Sequence, residues 1–225
     1  MLIGGMQKMT LLDFPGRIAC IVFTHSCNFR CPYCHNAPLV TERPDALSEE
    51  EVFAYLKKRR GILDGVVVSG GEPTLHKDLI PFLEKVRELG YAIKLDTNGT
   101  APAVLREIVE RGLCDYVAMD IKNSREKYPL TAACPVDMAA VEESVGFLLS
   151  GAVDYEFRTT LTRELHTEED MHSIGEWIRG ARRYFLQTFT DSGDLVGEGM
   201  SAYTREETDS LADAVRPYVA SVSVR

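Results

Sequence analysis

The sequence lacks any long apolar segment, and it contains few cysteines for its length. No stretch approaches the roughly 18 uninterrupted apolar residues of a membrane helix, and residues 1–14 lack the charged-then-apolar pattern of a secretory signal. Six cysteines in 225 residues are too few for a disulfide scaffold, so metal or redox chemistry in a reducing compartment is the better interpretation. We therefore expect a cytoplasmic protein that does not enter a membrane.

The chain also lacks an excess of positive charge. It carries 25 Lys and Arg against 34 Asp and Glu, a formal net charge of −9. Proteins that bind by neutralising many phosphates have the opposite sign, so the charge disfavours nucleic acid as a partner. With 45% hydrophobic and 26% charged residues, the composition is that of a globular protein with a sizeable core.

Short apolar runs rich in β-branched residues alternate with segments of helical periodicity. Each of the six intervals between the runs carries a helix signal, such as the capping box that Ser48 forms with Glu51. No linker or change of composition divides the chain. The alternation predicts one α/β domain with a parallel sheet, either doubly wound or an incomplete (β/α) barrel. The predicted strands are Ile18–Thr24, Val66–Ser69, Tyr91–Asp96, Tyr116–Ile121, Tyr155–Thr160, Tyr184–Thr188 and Val219–Val224.

Three of the six cysteines are crowded into eight positions directly after the first predicted strand. The segment reads Cys27-Asn-Phe-Arg-Cys31-Pro-Tyr-Cys34-His35. A cubane iron–sulfur cluster usually takes four sulfur ligands and this segment supplies three, so one iron would stay open to a small molecule. A Cys₃His zinc site that includes His35 and a C-x-x-C-H haem attachment remain as alternatives. The other cysteines, whose roles the sequence leaves unassigned, are Cys20, Cys114 and Cys134.

Polar and glycine-rich turns follow the next three predicted strands. Ser69-Gly70-Gly71-Glu72-Pro73 follows the second strand, where glycine permits close approach of a ligand to the backbone. It is neither a dinucleotide-binding fingerprint nor a P-loop, so it does not imply a nucleotide phosphate. The third and fourth strands end in Asp96-Thr97-Asn98-Gly99 and Met119-Asp120-Ile121-Lys122. Because parallel strands end at one edge of a sheet, we expect these groups to share a catalytic rim.

The spacing C-x3-C-x2-C after a first strand resembles the radical S-adenosylmethionine (SAM) superfamily. With the upstream residues Lys8–Gly16 (KMTLLDFPG) and Val22–Thr24, the sequence is similar to the activating proteins of anaerobic ribonucleoside-triphosphate reductase. This resemblance implies one domain over residues 1–225, folded as an incomplete parallel (β/α)6 barrel of the partial TIM-barrel type, with about residues 1–17 packing on it as an extension. It also implies a [4Fe–4S] cluster on Cys27, Cys31 and Cys34, with SAM bound to the free iron.

The resemblance further implies which residues contact SAM. The Gly70-Gly71-Glu72 turn receives the methionine amino group, mostly through backbone carbonyls, and Asn98 or its neighbours touch the ribose or carboxylate. Lys122 and Arg158 bind the carboxylate. Tyr33 lies against the adenine, with Phe189 packing from the other side.

A monovalent cation beside SAM is a further expectation from the resemblance. In pyruvate formate-lyase activator the corresponding D-T and D-x-K stretches bind such a cation, which implies that role for Asp96, Thr97 and Asp120. The alternative is that Asp96 and Thr97 form an Asx-type turn while Asp120 pairs with Lys122.

The function implied by the resemblance is activation of a glycyl-radical protein. A flavodoxin- or ferredoxin-type donor reduces the cluster, SAM is cleaved to methionine and a 5′-deoxyadenosyl radical, and the radical removes hydrogen from a backbone glycine of the partner. Anaerobic ribonucleotide reductase is the favoured partner, and another glycyl-radical enzyme such as pyruvate formate-lyase is the alternative. A radical enzyme acting on a small molecule or RNA, and a non-enzymatic zinc or electron-transfer protein, also remain open.

Overall fold

The computed structural model describes residues 1–41, 46–191 and 193–225. Residues 42–45 and 192, which belong to the predicted domain, lie outside the described residues. The strands are β1 (Ile3–Thr10), β2 (Ala19–Thr24), β3 (Gly65–Gly70), β4 (Ala92–Thr97), β5 (Tyr116–Asp120), β6 (Asp154–Leu161), β7 (Tyr184–Thr188) and β8 (Val222–Val224). The helices are α1 (Ala37–Thr41), α2 (Glu49–Lys58), α3 (Leu79–Glu88), α4 (Pro102–Glu110), α5 (Tyr128–Ala132), α6 (Met138–Leu149), α7 (Glu168–Trp177) and α8 (Arg205–Val215), with a 3₁₀ turn at Pro73–Leu75.

The eight strands form one sheet in sequential order, from β1 to β8. Strands β2 to β8 are parallel to one another and correspond to the seven predicted strands, which confirms the prediction of an open partial barrel. Strand β1 was not predicted. It pairs antiparallel with β2, from Ile3 opposite Thr24 to Thr10 opposite Ala19, so the N-terminal segment extends the sheet by one edge strand.

The sequence specifies the helix starts through side-chain caps. Ser48 and Glu51 form the predicted capping box at the start of α2. Equivalent boxes, in which each partner satisfies a free backbone N–H of the other, begin α7 and α8. These caps fix where each helix begins after its strand, and therefore how much chain remains for the turns at the carboxyl edge of the sheet.

The two faces of the sheet bury different side chains. The convex face packs against the helices through a large apolar core that includes Val22, Val68 and Leu95. The concave face has a small apolar floor at the amino ends of the strands, formed by Phe14, Ala19, Ile21, Val67 and Tyr116. Above this floor, towards the carboxyl ends, the concave face becomes polar. No helix in the described part of the chain is long and apolar enough to cross a membrane.

Candidate active site

A cavity of about 230 Å³ lies on the concave face where β3 to β7 end. It brings together the predicted site residues from five separate segments of the chain. Phe189 is the exception: its ring stacks on that of His35 at a centroid distance of 5.8 Å, and it is His35 that lines the cavity. The predicted residues that line it are Cys27, Cys31, Tyr33, Cys34, Gly70, Gly71, Glu72, Asp96, Thr97, Asn98, Asp120, Lys122 and Arg158.

The glycine turn is in direct backbone contact with the start of the cysteine loop. The Glu72 N–H donates to the Ser26 carbonyl at 2.8 Å, and the Gly71 N–H donates to the Thr24 carbonyl at 2.9 Å. A Cβ on Gly71 would lie 1.8 Å from the Ser26 oxygen, and Gly70 has a φ of +116° that side chains disfavour. Both glycines are therefore required for the turn to approach the cysteine loop this closely.

The cysteine loop is held from its other side by α5. The Arg30 N–H donates to the Ala132 carbonyl at 2.9 Å, and the Cys134 thiol donates to the Asn28 carbonyl at 3.4 Å. Cys134 thus lies beside the loop although its spacing in the sequence does not indicate this. The segment that carries Cys27 and Cys31 is therefore fixed between the glycine turn and a short helix.

The Cys31 side chain is buried, and those of Cys27 and Cys34 are partly buried. Burial raises the pKa of Cys27 to about 12 and that of Cys31 to about 11. Both groups are thus thiols at neutral pH until a metal displaces the proton. No three His, Cys, Asp or Glu side chains of the described residues surround one point closely enough to hold a single metal ion. A cubane has a different requirement, because each thiolate binds a different iron.

Tyr33 places an unsatisfied polar atom in the cavity wall. The residue is 3% exposed, and its hydroxyl has no hydrogen-bond partner in the described part of the chain. Burial raises the pKa of Tyr33 well above its ordinary value, so the hydroxyl is neutral and can donate. Leaving such a group unpaired costs about 1–3 kcal/mol. A ligand with an acceptor at this position would remove that cost.

Glu72 connects the ends of β3 and β4. Its carboxylate accepts from the Thr74 N–H at 3.1 Å and hydroxyl at 2.5 Å, from the Thr97 hydroxyl at 2.8 Å, and from the Asn98 N–H at 2.6 Å. Burial raises the pKa of Glu72, and these donors oppose the rise. The carboxylate is thus occupied with shaping the rim. The Gly70 carbonyl faces the same cavity and accepts from the Asn36 side chain at 3.0 Å.

A chain of five charged side chains crosses the polar part of the concave face. Arg158 joins its two carboxylates, with Nε 2.9 Å from Asp120 and a terminal nitrogen 3.2 Å from Asp96. Lys94 pairs with the other Asp96 oxygen, and Lys122 lies 3.0 Å from the other Asp120 oxygen. Burial alone would raise the pKa of Asp120, but Arg158 and Lys122 outweigh burial and lower it to about 2. Asp120 is therefore a carboxylate at neutral pH.

His166 contacts the backbone of Lys122, at one end of these five charged side chains. Its Nδ1 accepts from the Thr162 N–H at 3.2 Å, so Nε2 carries the proton and donates to the Lys122 carbonyl at 2.8 Å. The residue is fully buried, and the centroid of its ring lies 6.3 Å from that of the Tyr33 ring. Burial lowers the pKa of His166, which keeps the ring neutral.

Several cavity residues were not singled out from the sequence. Thr160 on β6 and Gln187 on β7 are register partners, and within the described residues neither side chain has a hydrogen-bond partner. Both occupy inward positions near strand ends. Strand alternation is the only signal that could have found them. The other residues of this kind are Phe29, Asn36 and Val40.

Comparison with known proteins defines the family. The profile of the Radical SAM superfamily matches residues 21–139. A candidate glycyl-radical enzyme activating enzyme of Methanocaldococcus jannaschii is 30% identical over 231 aligned residues, covering 100% of this chain and 95% of that protein. A 7-carboxy-7-deazaguanine synthase of Koribacter versatilis is 29% identical, over 70% of this chain and 68% of the synthase. The chain belongs to the radical SAM superfamily.

The fold agrees with that assignment. The structure of Streptococcus suis SuiB bound to S-adenosylmethionine superposes with a TM-score of 0.71 at 13% sequence identity. The match covers 91% of this chain and 49% of SuiB, so the chain spans about half the length of that protein. As a member of the radical SAM superfamily, the protein is an enzyme whose cofactors are a [4Fe–4S] cluster and SAM.

The cavity fits these cofactors. It combines three cysteines, a glycine turn that a Cβ would block, and the unpaired Tyr33 hydroxyl. Soft thiolate ligands favour an iron–sulfur cluster, and the exposed backbone of the turn suits an amino acid ligand. The net positive charge of the five-residue chain suits a carboxylate.

Proposed function

We propose that this enzyme activates a glycyl-radical protein, with anaerobic ribonucleotide reductase as the favoured partner. The observation that carries the proposal is the full-length likeness to the M. jannaschii protein, which spans 100% of this chain. A second candidate glycyl-radical enzyme activating enzyme, from Haemophilus influenzae, is 35% identical over a shorter stretch of 82 residues. A flavodoxin or ferredoxin would supply the electron.

In this proposal Cys27, Cys31 and Cys34 hold the cluster. Bound there, the reduced cluster and SAM would supply the radical chemistry that removes a hydrogen atom from a glycine of the partner. The polypeptide supplies position rather than acid–base catalysis. Backbone contacts from the glycine turn on one side and α5 on the other hold the loop that carries the ligands.

The remaining cavity residues would orient SAM. The Gly70 and Gly71 carbonyls accept from the methionine ammonium, Lys122 and Arg158 attract its carboxylate, and Asn98 contacts the ribose or carboxylate. Tyr33 and, through His35, Phe189 would form the aromatic side of the adenine site. Glu72 keeps the turn and β4 in register through its four donors.

The charges of the cavity support a polypeptide substrate. Its lining in the described residues contains one lysine and one arginine, Lys122 and Arg158, and both are ion-paired. A nucleotide or a small carboxylate would need unpaired cations in addition to those that hold SAM. A peptide glycine is uncharged and needs only neutral groups, which Thr160 and Gln187 offer.

A radical enzyme that acts on a small molecule is the second candidate. The likeness to 7-carboxy-7-deazaguanine synthase over 70% of this chain favours it. Such an enzyme would consume SAM with its small substrate in the absence of any protein partner.

The test is anaerobic incubation of the reconstituted, reduced enzyme with SAM and purified anaerobic ribonucleotide reductase, followed by EPR spectroscopy. We expect a glycyl-radical signal on the reductase and one methionine formed per radical. The variant C31A should give no signal, while C114A, which changes a buried cysteine outside the cavity, should give the wild-type signal. SAM cleavage without a glycyl radical on the reductase or on pyruvate formate-lyase would contradict the proposal.

A further inference from the structure

The side chain of Lys94 is buried inside the partial barrel. It lies on β4, two residues before Asp96, and its side chain is 2% exposed. Its neighbours across the sheet are Val67 on β3 and Tyr116 on β5, both members of the apolar floor. A lysine is almost never buried in this way unless its ammonium is paired.

The partner of Lys94 is one of the residues expected to bind a monovalent cation. The Lys94 ammonium donates to one Asp96 oxygen. The second oxygen accepts from the Ser69 hydroxyl at 3.0 Å and from Arg158 at 3.2 Å. Both oxygens of this carboxylate are thus already engaged by donors from the chain itself.

The other two expected cation ligands are engaged as well. The Thr97 hydroxyl donates to Glu72 at 2.8 Å and accepts from the Gly99 N–H at 3.1 Å. Asp120 accepts from Arg158 on one oxygen and from Lys122 on the other. Every oxygen of the expected ligand set is therefore already engaged in a hydrogen bond within the chain, and an added cation would have to compete with these contacts.

The charges lead to the same result. Lys94, Arg158 and Lys122 contribute three positive charges against the two negative charges of Asp96 and Asp120. This excess of one positive charge lies beside the cavity, where the SAM carboxylate is proposed to bind. A further cation would have to approach the positive groups of this chain, which repel it.

We propose that the Lys94 ammonium takes the place of a monovalent cation in this site, so that the enzyme binds SAM without one. Lysine carries a compact point charge, which makes it a suitable substitute for an alkali ion. Lys94 is in this sense a positioning residue. Its charge offsets that of Asp96, so that the charges of Arg158 and Lys122 together balance those of Asp120 and the SAM carboxylate.

The test measures SAM affinity as a function of the cation in solution. The reconstituted enzyme is titrated with SAM by anaerobic calorimetry in potassium, sodium or tetramethylammonium chloride, each at an ionic strength of about 0.15 M. For the wild type we expect dissociation constants that agree within about twofold, since no alkali ion takes part. A loss of affinity of about tenfold in tetramethylammonium chloride would overturn the proposal without any mutation.

The variant K94M removes the charge and keeps the aliphatic stem. We expect its SAM affinity in tetramethylammonium chloride to fall about tenfold and to recover in sodium or potassium chloride, with sodium NMR line broadening that the wild type lacks. K94R should remain independent of cations. The control K85M removes an exposed lysine paired with Glu49, far from the cavity, and should behave as the wild type. Unchanged affinity in K94M, or a loss that neither alkali ion restores, would show that Lys94 is not a cation substitute.

Discussion

The contact between the glycine turn and the cysteine loop allows a quantitative test with the variant G71A. A Cβ at this position would lie 1.8 Å from the Ser26 carbonyl oxygen and 3.2 Å from the Cys27 nitrogen. Since real Cβ atoms keep at least 3.0 Å from such atoms, the backbone must move by at least about 1.2 Å. The atom that blocks the methyl group is backbone, so no side-chain rotation can relieve the overlap.

We expect two consequences of this displacement. Overpacking of this kind costs about 1–3 kcal/mol, which corresponds to a fall in Tm of about 2–12 °C for a chain of this size. A shift of about 1 Å in a positioned reactant can lower the reaction rate about 100-fold. Cys27 follows Ser26 directly in the chain, so displacement of Ser26 also moves Cys27. We therefore expect a much larger relative loss in the rate of SAM cleavage than in the free energy of unfolding.

The assays are thermal unfolding followed by circular dichroism, and methionine release from SAM by the reconstituted enzyme. G5A is the matched control, because a Cβ at Gly5 meets no atom within 4 Å and Gly5 has no positive φ. The reasoning is refuted if G71A melts within about 1 °C of the wild type and cleaves SAM at the rate of G5A.

Three further predictions concern buried polar groups. The variant E72Q replaces a carboxylate that accepts four hydrogen bonds with an amide that directs an N–H towards donors. We expect the free energy of unfolding, measured in urea, to fall by about 1–3 kcal/mol. An unchanged free energy of unfolding would contradict the structural role of Glu72. The variant R158M leaves Asp96 and Asp120 without their shared partner, and we expect the free energy of unfolding in urea to fall by about 3–5 kcal/mol. Unchanged stability would mean that water screens these ion pairs. His166 has a pKa below its ordinary 6.5 in the folded state, so the unfolded chain binds the proton first and stability must fall as pH drops below about 6.5. H166Q should lose this part of the pH dependence of Tm, and an unaltered pH profile would contradict the buried neutral imidazole.

The strand and helix order could be predicted because the signals are local. Apolar runs, capping boxes and terminal glycines identified β2 to β8 and the six longer helices. Strand β1 was not recognised because Gly4 and Gly5 interrupt its apolar pattern, and its pairing with β2 is a long-range contact that the local sequence does not reveal. Helix α5 has five residues, too short for a periodic signal, and Pro129 lies within it.

The site residues also differ in whether local sequence signals reveal them. The cysteines and the Gly70-Gly71 turn are contiguous motifs, so the sequence reveals them directly. Lys94 and Gln187 follow apolar residues in their strands and belong to no recognisable motif, and only the curvature of the sheet determines what they meet. The sequence also could not show that Asp96 and Asp120 share one guanidinium, because that contact depends on how β4, β5 and β6 lie across the concave face.

The antiparallel strand β1 has a consequence for the durability of the site. Without it, β2 would be the border of the sheet, and its outer amides would face water next to the cysteine loop. Border strands fray and exchange their amide hydrogens first, and they also invite pairing with foreign chains. Because β1 occupies that position, local unfolding begins one strand away from the cysteine loop, and the strand that leads into Cys27 opens only when a larger part of the sheet opens with it.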